Sequence, residues 1–409
     1  MQQLKQKATT KLKMKPEMII FFILIAIVAF GNGLSDSILS NYFKDAYDVT
    51  ATQRAFIEFP RELPGVLCVI VIGLLSFIGD MRVALIAQIC SCVGIMVLGF
   101  FTPSFAIMLI FLFIYSMGMH LFMPLSDGIG MQLAEKDQIG KRIGQYGSVK
   151  TGIGFLTGFF VFVMFRYEIF SFTTPIKWAF VLSAACFAVA IVLAIMLVKK
   201  SAPAKTKFTS PKKIFIFRKE YKYYYFLTVL HGVQKQIAYV FGSWVIIDLL
   251  LKGADVMSIL IMCGSFLSMF FFKYVGKWLD TKGIKFMMYM DAISFIVVYT
   301  IYGVVVWLIV DNIIPTSTWA VMTIYLMFVL DRLSMQLGVV KAVYLKSIAV
   351  DQSEVTKALS TGVSLDHMAA IIAAQISGII WTTFGAHWVF FLAAFLSLGN
   401  LMVAHKLEK

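Results

Sequence analysis

The chain has 409 residues, 60% hydrophobic and only 14% charged, which is too little charge to cover a soluble domain of that length. The formal charge of +14 does not mark a nucleic-acid binder, because Lys and Arg gather on alternate connections between long apolar blocks. About 27 of the 36 fall on one side and about five on the other, the positive-inside pattern of a membrane protein with some contact to anionic lipid.

The blocks run to roughly 20 residues, enough to cross a ~30 Å hydrocarbon layer. Short alternating segments of the β-barrel kind do not occur. The expected fold is all-α, with twelve transmembrane helices in a bilayer, read as the cytoplasmic membrane. In chain order, a basic tail over 1–16 leads into spans near 17–42, 52–78, 83–101, 104–132, 147–168 and 178–198. A basic, proline-bearing linker over 199–221 follows, and then spans near 222–250, 255–275, 286–309, 316–338, 358–381 and 385–405. The basic start running into an apolar stretch resembles a signal peptide. It is read as an uncleaved first span, because the helical pattern continues past Asp36. Two six-helix bundles, 17–198 and 222–405, with both termini cytoplasmic, are therefore expected.

Ionisable residues inside spans cost roughly 2.5–3.5 kcal/mol each, so they face protein or a watered cavity and are functional candidates. Span one carries Asn32 and Asp36, one turn apart. Span two carries Arg54, Glu58, Arg61 and Glu62 on one helical stripe, beside Pro60 and Pro64, which should kink the helix and free carbonyls. Arg54 and Glu58 are expected near the outer surface and the others deeper. Span four adds Tyr115, His120, Pro124 and Asp127. Asp127 is placed to pair with Lys150 as an inner latch. Span seven presents His231, Gln234 and Lys235 on one face. Span ten holds Asp331 and Arg332, and span eleven holds Asp366 and His367. Neighbouring residues on a helix diverge by about 100°, so Asp366 and His367 need not touch. Asp36, Glu62, Asp366 and His367 are the candidates for carrying a proton, and imidazole titrates near neutrality. Tyr115, Tyr239 and Trp381 could line a cavity. Gly152, Gly154 and Gly158, with Gly362 and Gly378, read as close helix contacts.

Five cysteines lie in apolar blocks and read as packing residues. No Walker loop and no metal-ligand spacing occur, so neither a catalytic centre nor a cofactor is expected.

A short turn repeats between the halves: Ser76-Phe-Ile-Gly79-Asp80-Met-Arg82, then Gly276-Lys-Trp-Leu-Asp280-Thr-Lys282-Gly283-Ile-Lys285. Asp80 and Asp280 are read as equivalent. The second copy resembles the G-x-x-x-D-x-x-G-x-K/R signature of the major facilitator superfamily. With twelve spans, a six-plus-six split and a basic linker, the resemblance covers the chain. It implies a monomeric secondary transporter, with spans one, four, seven and ten around a central cavity. Asp80, Arg82, Gly276, Asp280, Gly283 and Lys285 would then be conformational residues holding an outward-open state. The mixed charge expected in the cavity favours proton-coupled movement of a small polar or anionic solute. Proton-driven efflux of lipophilic compounds is the alternative, and a sensor without flux comes third.

Overall fold

The computed structural model describes residues 15–134, 139–200, 215–316, 318–351 and 355–407. Most of the basic tail and of the linker over 199–221 lies outside the described residues. Every regular element among the described residues is a helix.

The helix α1 (Pro16–Tyr47) starts on a proline, whose missing N–H is not needed there. It is interrupted by a 3-10 turn at Asp36–Ile38. The next, α2 (Ala51–Leu75), stays helical through Pro60 and Pro64. Two of its carbonyls take side-chain hydrogen bonds: Ala55 from Gln375 and Arg61 from Ser116. Then come α3 (Asp80–Phe100), α4 (Phe105–Leu133), α5 (Ile139–Arg166) and α6 (Trp178–Lys200). The helix α7 (Lys222–Gln236) runs on into π-helical turns at Ile237–Gly242 and Val245–Leu249. The run Ala254–Val310 breaks at Gly283, giving α8 (254–282) and α9 (284–310). The last three are α10 (Thr318–Ser347), interrupted between Gln336 and Val339, α11 (Val355–Thr383) and α12 (Ala386–Lys406).

Ten helices among the described residues are long and apolar enough to cross a membrane. The segments that fall short are α2 and α7. The first concentrates four charged residues, and the second is broken by its π turns. These two also supply part of the polar centre, together with α11.

Helices α1–α6 pack mainly on one another, as do α7–α12, and the groups meet chiefly along α2 with α11 and α5 with α8. Small residues allow the closest crossings. A Cβ on Gly118 would overlap Ser91 and Ala87, and one on Gly94 would lie 2.6 Å from the Phe111 carbonyl oxygen. Gly118→Val is therefore expected to cost about 1–3 kcal/mol through overpacking, read as a lower melting midpoint in detergent. Gly128→Ala on the same helix, where a Cβ meets open space, should not lower it.

Gly362 and Gly378 behave as expected, backed closely by Tyr224 and Ala55. The run in α5 does not. Around Gly152 and Gly154 there is open space, and Gly158 makes only an ordinary contact with Met262 at 3.5 Å. Gly152 borders the larger of two cavities, and Gly154 faces away from any helix neighbour.

The repeated turn also needs a new register. Gly79 and Gly283 both take positive φ, 86° and 79°, and each ends one helix and starts the next. Only glycine adopts that conformation freely. Aligned on these glycines, Asp80 follows its glycine while Asp280 precedes its own by three residues. The aspartates are therefore not structural equivalents, and Ser76 occupies the place of Asp280.

Candidate functional site

The spacing of α2 turns its charged stripe inward, onto α1 and α11. Arg54 and Glu58 form an ion pair with 0% exposure each. Expected near the outer surface, they are not wetted there, because the Leu39–Tyr47 part of α1 covers them. Arg54 Nη2 donates to Ser40 Oγ at 3.0 Å, and its guanidinium lies 5.4 Å from the Phe43 ring.

From this pair the charges alternate inward. Arg61 Nε donates to Glu58 Oε2 at 2.6 Å and Arg61 Nη2 to Glu62 Oε1 at 2.5 Å. Glu62 Oε2 then meets His367 Nδ1 at 2.6 Å and Lys235 Nζ at 3.7 Å. Lys235 Nζ donates to Asp366 Oδ2 at 2.6 Å, and Asp366 Oδ1 lies 2.9 Å from His231 Nδ1. Asp366 and His367 do point apart, one toward α7 and the other toward α2. The chain thus links α2, α7 and α11 and crosses between the two helix groups. Charges placed this way compensate one another, and isolated they would be costly to bury.

Asp36 is attached more loosely. Its Oδ1 stands 4.0 Å from Arg61 Nη1 and 3.3 Å from the Tyr239 hydroxyl, which also donates to the Asp36 carbonyl oxygen at 3.3 Å. Arg61 lies over the Tyr239 ring at 4.3 Å. Tyr239 sits in the first π segment of α7. π bulges recur at functional sites because they re-aim a side chain within a helix.

Two cavities meet at Tyr239 and Arg332. The larger, 870 Å³, is bordered by Lys235, Asp331, Ser148, Thr151, Ser265 and Ser268 among others. The smaller, 220 Å³, holds Asn32, Asp36, Ser37 and Ser40. The larger uses the parts of α5 and α8 nearest the basic loops, and the smaller uses the opposite parts of α1 and α8. On that opposite face Lys44 pairs with Asp248 at 2.8 Å and Arg166 with Asp255 at 3.8 Å, joining the two helix groups. The larger cavity therefore lies toward the basic face, and on the other face these two ion pairs link the helix groups.

Arg332 makes no ion pair among the described residues. Its Nε is buried without a hydrogen-bond partner, and its guanidinium lies 5.1 Å from the Phe328 ring. Asp331 borders the larger cavity, with Oδ1 also unpartnered.

Some expected residues fall elsewhere. Gln234 is fully buried and donates to Ser397 Oγ at 2.8 Å, so it is no cavity residue. Tyr115 is buried against Ser35 at 2.6 Å, and Trp381 packs on Phe241. Lys150 does reach Asp127, at 3.3 Å. The pair is exposed, worth at most about 1 kcal/mol, and joins α4 to α5 within one group, so it latches nothing across the groups. Asp80 accepts from Gln132 at 2.7 Å, Arg82 is exposed, and Lys285 donates to the Leu407 carbonyl at 2.8 Å. Asp280 and Gly276 are exposed. The contacts these turn residues make stay within their own helix group.

Asp291 and Lys341, both buried, were passed over in the sequence. Their signal was a charge within an apolar run. The sequence also gives no metal-ligand spacing, yet the fold gathers Glu62, His120 and His367 with ligand atoms within 4.8 Å of one another.

A helical membrane body with a buried charged chain at the seam of two helix groups, opening on a polar cavity, defines a solute transporter rather than an enzyme. The Major Facilitator Superfamily profile matches residues 21–346, and the chain belongs to that superfamily. No curated protein matches the sequence. Among solved structures, a point variant of the nucleoside transporter NupG has TM-score 0.75 at 13% identity, covering 96% of this chain and 100% of that one. An auto-inhibited POT-family peptide transporter gives 0.74 at 11%, covering 97% and 98%. A D-xylose-proton symporter gives 0.69 at 13%, covering 95% and 97%.

Proposed function

We propose that the protein is a proton-coupled secondary transporter that moves a small polar or anionic solute across the cytoplasmic membrane by alternating access. In this reading α2 and α7 also span the bilayer, giving twelve helices in two six-helix bundles (17–198 and 222–405). Both termini lie on the basic, cytoplasmic side, and the working unit is a monomer. The arrangement described above is then the inward-facing one. Structural neighbours named as nucleoside, peptide and D-xylose-proton transporters support a polar solute.

One observation carries the solute class. Arg332 presents to both cavities a guanidinium that forms no ion pair among the described residues, with its Nε unpartnered. An anionic group on the solute would complete it, and the hydroxyls of Ser148, Thr151, Ser265 and Ser268 would meet a polar body.

The test is a melting screen of the purified protein in detergent with sugars, organic acids, amino acids, nucleosides and lipophilic cations. A bound ligand raises the midpoint by mass action. An anionic solute is expected to raise it, and Arg332→Gln should weaken that ligand about 10–100-fold, since a hydrogen bond to a charged group contributes roughly 1.5–3 kcal/mol. Stabilisation by lipophilic cations alone would replace this reading with efflux.

A further inference from the structure

The three residues Glu62, His120 and His367 come from α2, α4 and α11, and each offers one ligand atom within 4.8 Å of the other two. Glu62 is 3% exposed. The imidazoles of His120 and His367 stand edge to face, with ring centroids 5.1 Å apart. Two imidazoles and one carboxylate form a three-ligand set that suits tetrahedral zinc with water in the fourth position. The two nitrogens favour a late first-row metal over magnesium or calcium, which take oxygen ligands.

The outer shell is already built. His120 Nδ1 lies 2.9 Å from the Ser116 carbonyl oxygen. A carbonyl only accepts, so Nδ1 carries the proton and Nε2 keeps the lone pair. Metal-binding histidines are commonly fixed by this kind of bond. The other oxygen of Glu62 is held by Arg61 at 2.5 Å, which sets the carboxylate's orientation. Coordination replaces the 2.6 Å hydrogen bond between His367 and Glu62. Two cations oppose a dication here. Arg61 is committed to the far oxygen, and Lys235 stands 3.7 Å from the near one but leans on Asp366 at 2.6 Å. The site is therefore open to exchange rather than permanently filled.

We propose that Glu62, His120 and His367 bind a divalent late first-row transition-metal ion, and that the ion clamps α11 to α2 and α4. Two ligands belong to the first helix group and one to the second, so occupancy holds the groups in the arrangement described here. The site stands on its own geometry. Only the consequence that a clamped protein cannot transport rests on the proposed alternating access.

The probe is Zn²⁺ added to the chelator-treated full-length protein. Zn²⁺ is expected to raise the melting midpoint saturably, and chelator should reverse the rise. Co²⁺ should give the visible absorption of a four-coordinate site. His120→Gln and His367→Gln should each bind Zn²⁺ at least ~10–100-fold more weakly, the loss that even outer-shell changes bring, read for each variant as the Zn²⁺-induced rise over its own metal-free midpoint. Spin labels at positions 82 and 282, with the five native cysteines replaced, read the clamp. Bound Zn²⁺ should narrow their distance distribution to a single population. No Zn²⁺ effect, or the same effect in both variants, overturns the site. Binding without narrowing overturns the clamp. An anionic ligand found in the screen leaves both questions where they stand, and Zn²⁺ binding without any such ligand counts only against the solute reading.

Discussion

Glu58→Gln is expected to be the most damaging single change to stability, costing about 3–5 kcal/mol. Glu58 is completely buried and holds two guanidinium groups, Arg54 in an ion pair and Arg61 Nε at 2.6 Å. The change keeps the size and removes the charge. Arg61 retains Glu62 at 2.5 Å. Arg54 does not fare as well. It keeps Ser40 Oγ at 3.0 Å and the Phe43 face, neither of which is an anion. A cation without a counter-ion in an apolar surround is costly, whereas removing both members of a buried pair is often neutral. The double change Arg54→Met, Glu58→Met should therefore be more stable than Glu58→Gln alone. Denaturant titration of the protein in mixed micelles would compare the two. A single variant within about 1 kcal/mol of the parent would mean that water reaches Arg54, contrary to its burial, since an exposed pair contributes no more than that.

This pair also marks the limit of what the sequence disclosed. The all-helical membrane body follows from composition and period, and the stripe at 54, 58, 61 and 62 follows from 3.6 residues per turn. Depth does not follow. Position along α2 suggested an outer, wetted place for Arg54, but the second part of α1 folds over it, and only tertiary structure shows this. The pairing of Lys235 with Asp366 and of His367 with Glu62 joins residues 131 and 305 positions apart, beyond the reach of any local pattern. Gln234 shared a face with Lys235 in a regular helix, yet it turns into the second group and Lys235 into the seam. The glycines of α5 were read as packing residues because helix contact is their common use in membranes. Here Gly152 borders the cavity instead, and Gly154 meets no neighbour. The repeat of the two turns was visible, but its register depended on φ angles that the letters do not carry.

Asp36→Asn is expected to abolish accumulation driven by a pH gradient while leaving exchange of the solute across the membrane. Of the four proton candidates, Glu62 is gripped by three partners, Arg61, Lys235 and His367, and Asp366 by two, Lys235 and His231. His367 is engaged with Glu62 at 2.6 Å. Asp36 has only Arg61 at 4.0 Å and the Tyr239 hydroxyl at 3.3 Å, its side chain is 33% exposed, and it borders the smaller cavity. Of these candidates it is the carboxylate whose charge is least compensated and which is best placed to exchange a proton with water. Its neutralisation would weaken the Tyr239 contact, which runs from α1 to α7 and so from one helix group to the other. The proton would then act on the seam that must open. Asp366→Asn should behave differently, lowering stability and solute affinity by releasing Lys235 and His231 while the gradient still drives what is bound. Proteoliposomes with an imposed pH gradient, loaded with the solute found by melting, would separate accumulation from exchange. If Asp36→Asn accumulates solute like the parent, the proton travels through the tighter group around Glu62, where each protonation must first break an ion pair.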